Sequence, residues 1–228
     1  MPLTAPYRLL LAVVAPPSCP ACGAALAGTY DALCPACARE LPWLGRAVCP
    51  RCALPSPCDP CPAAARAWER AWAPFAHDGP ARALVAALKF RGLTAAAELL
   101  AAPLAAGAAP LLAGATLVPV PADRGRRRRR GFDHAALIAD ALGRRAGRPV
   151  AACLRREGGG RQLGAGRAAR LAGAARARVV ARGPVPARAV VVDDVHTTGA
   201  TLDACARALR AAGAAHVDVL TATRAIRR

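Results

Sequence analysis

The sequence predicts an α/β fold with a mainly parallel sheet, preceded by a small cysteine-rich module. Three observations predict it. Short apolar runs rich in β-branched residues alternate with helix-length amphipathic segments beyond residue 80. Eight of the ten cysteines stand before residue 62, as four C-x-x-C pairs. Two aspartates close one of the apolar runs and are followed at once by Thr-Thr-Gly-Ala-Thr.

The cysteine module occupies residues 1–62. Its pairs are 19-CPAC-22, 34-CPAC-37, 49-CPRC-52 and 58-CDPC-61. Two residues between thiolates let both sulfurs of one tight turn reach the same tetrahedral ion, and two such turns complete a four-cysteine site. A disulfide scaffold is the competing reading; the repeated pairing and the lack of an export signal favour zinc. The simplest assignment puts one ion on Cys19, Cys22, Cys34 and Cys37 and another on Cys49, Cys52, Cys58 and Cys61. Crossed pairing, or one ion with a degenerate second site, stays open at this level. With no histidine among the ligands the sites read as structural. The module holds few large apolar residues beyond Leu26, Tyr30, Leu33, Leu41 and Trp43, so its folding is expected to depend on metal. Cys153 and Cys205 stand apart, and Cys205 falls on the apolar side of a predicted helix, as a core residue does.

Residues 63–80 read as a connector rich in alanine and proline, with Trp68, Trp72 and Phe75 as anchors to the domain that follows over 81–228. In 81-ARALVAALKF-90, Leu84, Val85 and Leu88 share one helical face, and the helix is expected to end by Gly92. An alanine-rich helix covers about 94–106. The run 115-ATLVPV-120 is a buried strand, and 133–146 a helix with Ala136, Leu137 and Ala141 inward. A glycine-rich basic segment spans 155–173. Then come a buried strand at 187-ARAVVV-192, a helix over 200–212 and a strand at 216-HVDVLTA-222. In such sheets ligands gather beyond the carboxyl ends of the strands.

The formal charge is +18, of which residues 63–228 carry +17. That excess suits a phosphate-rich ligand or a nucleic acid. It is discounted for coding bias: Lys89 is the single lysine among 32 basic residues. The apolar 9-LLLAVVA-15 stops at Pro16-Pro17, far short of the ~20 residues of a spanning helix, so no membrane insertion and a cytoplasmic location are expected.

The acids at the end of so apolar a strand have to be worth their desolvation. In 190-VVVDDVHTTGAT-201, Asp193 and Asp194 emerge at the ligand crevice. Thr197 to Thr201 then offer backbone N–H groups and hydroxyls around Gly199, beside the positive end of a helix. Two carboxylates next to a phosphate nest suit one molecule with a vicinal diol and a terminal phosphate, a ribose 5-phosphate. A nucleotide P-loop is a poor alternative, since there is no G-x-x-x-x-G-K-[ST] and no lysine nearby.

The stretch 192-VDDVHTTGAT-201 resembles the phosphoribosyl-pyrophosphate (PRPP) motif of type I phosphoribosyltransferases. Nearly end to end, the chain is similar to the ComF family, which joins a double-zinc-ribbon-like cysteine module to such a domain. Further matches are 88-LKFRG-92, 118-VPVPADR-124, 130-RGFDHAALIA-139, and Arg155 with Gln162. The resemblance implies that Asp193 and Asp194 hold the ribose hydroxyls and that Thr197, Thr198, Gly199, Ala200 and Thr201 bind the 5-phosphate. It implies a pyrophosphate loop after 117-LVPV-120 with Arg124 its side chain, and a hood over 155–173 charged by Arg155, Arg156 and Arg161. Mg²⁺ would enter with PRPP, and a nitrogen nucleophile would displace pyrophosphate at C1. Two functions remain open on this basis. One is a Mg-dependent phosphoribosyltransferase linked to competence and DNA uptake. The other is a non-catalytic DNA-binding or DNA-processing accessory protein with a PRPP- or nucleotide-sensing site, in which 126-RRRRR-130 meets single-stranded DNA and the partners are competence proteins. The chain departs from the family at Asp133-His134, where Asn-Gln is usual, and lacks the Arg-x-x-Asn pattern near 167–173. His134 is read as capping the helix it precedes, and His196 as pointing to solvent.

Overall fold

In this computed structural model the residues described are 17–26, 28, 32–45, 47–122, 131–157 and 178–226. A helical turn, α1 (Pro35–Arg39), belongs to the cysteine module. Strands β1 (Ala71–Trp72) and β2 (Phe75–Ala76) follow, then helices α2 (Gly79–Phe90), α3 (Ala96–Gly107) and α4 (Ala109–Leu112). Next come β3 (Thr116–Pro119), α5 (His134–Ala146), β4 (Leu154–Glu157), β5 (Arg178–Ala181), β6 (Arg188–His196), α6 (Ala200–Ala211) and β7 (His216–Arg224).

Local chemistry sets the helix ends. Asp78 caps α2 by accepting the Gly79 N–H at 2.9 Å, and Pro80 sits in the first turn, where no backbone donor is needed. Asp133 caps α5, taking the N–H groups of Ala135 and Ala136, and Gly147 ends it in the left-handed region. The cap of α5 is therefore Asp133, and His134 is the first helical residue, contrary to the reading of His134 as the cap.

The main sheet is parallel throughout. Its order is β1, β7, β6, β3, with β2 also on the outer side of β7. Both of its faces are covered, which explains the unbroken valines of β6. The period of two divides them. Val190 and Val192, with Leu220 and Ala222 of β7, face α2, α3 and α5 through Leu84, Leu88, Leu100, Leu104, Ile138 and Leu142. Ala189 and Val191, with Val217 and Val219, face Leu202, Cys205, Ala206 and Leu209 of α6. At roughly 1.5–3 kcal/mol for each large aliphatic side chain fully buried, these two layers carry most of the driving force. Cys205 is fully buried, as expected of a core residue.

Four features depart from the sequence reading. The inward face of α5 is led by Ile138 and Leu142; Ala136 and Leu137 are only half-buried. The strand expected at 187–192 continues to His196, so Asp193 and Asp194 lie within β6 and not after it. The 63–80 stretch contributes β1 and β2 to the sheet, with Ala71 opposite Val219 and Phe75 opposite Thr223. Finally, β4 and β5 form a separate antiparallel pair on either side of residues 158–177. An ion pair between a part-exposed arginine and a buried aspartate pins the approach to β1: Arg70 Nη2 lies 2.6 Å from Asp218 Oδ2, whose residue is 1% exposed.

Candidate functional site

The first and third C-x-x-C turns are built the same way. In the first, the Cys19 N–H donates to Ala24 O and the Gly23 N–H to Cys19 O; in the third, Cys49 donates to Leu54 O and Ala53 to Cys49 O. These tight turns bring four sulfurs together twice. Cys19, Cys22, Cys34 and Cys37 have their Sγ atoms within 4.8 Å of one another, and so do Cys49, Cys52, Cys58 and Cys61. Consecutive pairing is therefore the arrangement, and crossed pairing is ruled out. A tetrahedron with Zn–S bonds of about 2.3 Å has edges of about 3.8 Å. Sulfur separations of 3.7 Å for Cys22–Cys34, 3.8 Å for Cys49–Cys61 and 3.6 Å for Cys52–Cys58 fit that size. Burial opposes ionisation of Cys19 and Cys49, yet hydrogen bonds to their sulfurs outweigh it, bringing Cys19 down to about 6 and Cys49 to about 7. Both donor sets thus suit structural zinc.

The second site is centred on β6. Asp193 Oδ1 accepts the Asp194 N–H at 2.9 Å. Asp194, 3% exposed, places Oδ2 2.7 Å from Lys89 Nζ and 3.1 Å from His134 Nε2. His134, Asp193 and Asp194 form a third cluster within 4.8 Å. Burial, and then the charge of Asp194, push the Asp193 carboxyl up to about 8. The Asp194 carboxylate is thus held by one lysine and one histidine, on helices α2 and α5 that pack on the same face of the sheet.

Beyond β6 the chain turns through Thr197, Thr198 and Gly199 into α6, whose first turn holds Ala200 and Thr201. Gly199 has φ +76°, and a Cβ there would lie 2.8 Å from Trp68 Cη2 and 2.9 Å from His196 Nε2. Glycine is required both by the turn and by the close approach. The loop's carbonyls are taken up from behind. Arg224 Nη1 donates to His196 O at 2.7 Å and to Thr197 O at 2.6 Å, and Arg66 Nη2 donates to Thr198 O at 3.1 Å. The N–H groups of Thr197, Thr198 and Gly199 bond to no group among the described residues. His196 is 2% exposed, with Trp68 edge-on at 5.6 Å, so it does not point to solvent. Burial, and then the positive charges of Arg224 and Arg66, pull it down to about 3.

The structure brings Asp193, Asp194 and Thr197–Thr201 into one stretch of strand, loop and helix start. Arg124, the arginine run 126–130, Arg161 and Gln162 lie outside the described residues. Of the arginines in the hood segment, Arg155 is ion-paired to Glu157 at 2.5 Å on β4. Sequence reasoning missed Lys89 as the partner of Asp194, although a single lysine in an arginine-rich chain was a visible signal. It also missed Arg66 and Arg224, which look like any other arginine.

Residues 10–68 match the double zinc ribbon domain family. The chain therefore carries an N-terminal double zinc ribbon, the kind of module that the ComF resemblance implies, ahead of an α/β fold with a mainly parallel sheet. No curated protein matches the chain. Among the described residues, no helix is long and apolar enough to cross a membrane.

Proposed function

We propose that residues 81–228, reached through the connector at 63–80, bind PRPP in the manner of a type I phosphoribosyltransferase. One observation carries the reading: a loop, Thr197–Gly199, whose carbonyls are all engaged and whose N–H groups meet no partner among the described residues, lies two residues beyond a pair of neighbouring carboxylates. An anion such as the 5-phosphate fits the donors of Thr197–Thr201 and the start of α6. The hydroxyls of a ribose fit Asp193 and Asp194 as hydrogen-bond donors. The hard oxygens of Asp193 also suit a divalent cation, and Mg²⁺ bound with PRPP supplies charge neutralisation at the pyrophosphate.

In the transferase reading, a nitrogen lone pair forms a bond to C1 as the C1–O bond to pyrophosphate breaks. Asp193 and Asp194 orient the ring and favour the positive charge that develops on it, while the resemblance assigns Arg124 to the departing pyrophosphate. Neither acid has to move a proton. The protein works in the cytoplasm in this reading, with links to DNA uptake and competence proteins.

The test is calorimetric titration of the zinc-loaded chain with PRPP and Mg²⁺, beside an Asp193→Ala/Asp194→Ala variant. Binding by the intact chain that disappears in the variant is expected. No binding by the intact chain sinks the reading. The excess charge of +17 favours a second one, an accessory protein that contacts a DNA backbone and senses PRPP without turnover. Pyrophosphate release with a nucleobase supports the enzyme; DNA affinity that falls steeply with salt, without release, supports the accessory role.

A further inference from the structure

The two zinc sites differ in what they touch. The carbonyl of Cys52, a ligand of the second site, accepts a hydrogen bond from Arg224 Nε at 2.7 Å, and the same guanidinium holds the carbonyls of His196 and Thr197. Arg224 is 4% exposed. Arg51, inside the 49-CPRC-52 turn, receives the Trp68 indole N–H on its carbonyl at 2.8 Å. The Trp68 ring in turn lies against Gly199. Arg66 closes the set, reaching Thr198 O and Asp203 of α6, and the Ala67 N–H donates to Asp203 Oδ1 at 2.8 Å.

These contacts hold the loop together with two backbone bonds, from the Ala225 N–H to His196 O and from the Asp203 N–H to Gly199 O. A cavity of about 700 Å³ opens between the second ribbon and the back of the loop, bounded by Pro57, Pro60, Ala63, Thr197 and Thr198. Where packing does not fill the space, position is set by the few groups that bridge it. The first ribbon makes no comparable bridge among the described residues. Its direct hydrogen bond to the sheet domain runs from Arg91, past the end of α2, to Pro20 O.

We propose that the second zinc ribbon is the positioning element of the threonine loop. The site formed by Cys49, Cys52, Cys58 and Cys61 fixes the Cys52 carbonyl and the Arg51 turn. Arg224 and Trp68, with Arg66 beside them, carry that geometry to residues 196–199. The loop's carbonyls are thereby drawn toward the ribbon and its N–H groups are left to the ligand. Arg224 is a positioning residue, since it acts on the ligand only through the loop. What the loop binds rests on the PRPP reading; that the second metal site sets its conformation does not.

The experiment compares the full chain with Cys58→Ser/Cys61→Ser, Cys19→Ser/Cys22→Ser and Arg224→Met variants. Three quantities are measured: zinc content, amide hydrogen exchange over 194–203, and affinity for PRPP with Mg²⁺. The second-site variant is expected to lose one zinc, to speed exchange over 194–203 by about tenfold or more, and to weaken PRPP binding by a similar factor. The first-site variant is expected to lose one zinc and to stay within about twofold on both other measures. Arg224→Met should keep both zinc ions and still speed exchange at the loop, which a general loss of stability would not confine to that segment. Equal exchange over 194–203 in the two cysteine variants overturns the proposal. Unchanged exchange in Arg224→Met overturns it as well, and decides the matter if the second-site variant does not fold. An intact chain that ignores PRPP removes the ribose-phosphate reading, while the exchange measurements still test the coupling.

Discussion

The two ribbons share a turn and differ in what surrounds it. In 19-CPACG-23 the turn closes on Gly23 at φ +82°; in 49-CPRCA-53 it closes on Ala53 at φ +56°. The sulfurs of the first ribbon gather a small cluster with Ala21, Leu26 and Leu33 against it, of which Ala21 and Leu33 also touch the core between the sheet and α2, α3 and α5, and Cys22 is exposed. Cys49, Cys52 and Ala53 instead belong to the same core as Trp68, Val219 and Leu202. The third position of the turn makes much of the difference. It is Ala21 in one ribbon. In the other it is Arg51, whose guanidinium donates to the carbonyls of Ala63, Ala64, Arg66, Trp68 and Glu69. One metal motif can thus touch a larger core at its edge or stand as one wall of it, according to what its turn reaches.

The strongest way to break the comparison is to remove the metals one at a time. Cys49→Ser/Cys52→Ser is expected to lower the calorimetric midpoint of the sheet domain by roughly 10 °C or more, because several kcal/mol of shared core and metal binding go together. Cys19→Ser/Cys22→Ser should move it by less than about 3 °C. Equal shifts would mean that both ribbons are embedded alike.

Arg51→Ala gives the second turn the sequence of the first. Five carbonyls lose their donor, some of them part-buried, and a cost of roughly 2–4 kcal/mol is expected in urea denaturation with zinc present. Ala21→Arg disturbs the packing of a half-buried methyl but strands no carbonyl, and should cost less, about 1 kcal/mol.

Acid sharpens the contrast, because the docking face of the second ribbon buries His196. Its ordinary value is 6.5 and the fold holds it near 3. Between those values the unfolded chain binds more protons, so stability falls as pH drops below about 6.5, by up to about 1.4 kcal/mol per unit. Above that range the histidine is neutral in both states and contributes no slope. His196→Gln should flatten this part of the profile, while acid release of zinc persists in the variant and in the parent alike.

The smallest effect concerns the left-handed residue. Gly23→Ala meets nothing within 4 Å, so only the backbone resists it, at about 1 kcal/mol. Ala53→Gly relieves the same strain but uncovers a buried methyl, and the two should cancel to within about 1 kcal/mol.

Periodicity made the central sheet legible. The valines of β6 and the alternation of strand and helix specify a parallel sheet covered on both sides, and α2 presents Leu84, Val85 and Leu88 as the spacing requires. The cysteine spacing identified both ligand sets, though only geometry chose between pairings. Strands β1 and β2 were not legible, because two residues are too few to show a period and β7 supplies their register. The end of β6 was misplaced because two aspartates look like a strand's end. Lys89 and His134, which reach Asp194 from α2 and α5, explain how the strand continues through them. Arg224 was invisible for a similar reason: what distinguishes it is the set of carbonyls it meets, from segments far apart in the chain.

The position of β7 has a consequence for how the protein comes into being. This strand, the last of the described strands along the chain and central in the sheet, lies between β6 and the pair β1 and β2, with Ala71 opposite Val219. On a ribosome the ribbons emerge first and can take up zinc, yet the strand that β1 must join is still unmade. At about 5–20 residues per second the wait is on the order of ten seconds or more. For that interval Trp68 and Ala53 have no core to enter. The newborn chain presents them as an apolar face on an already metal-bound module, the form in which chaperones would meet it.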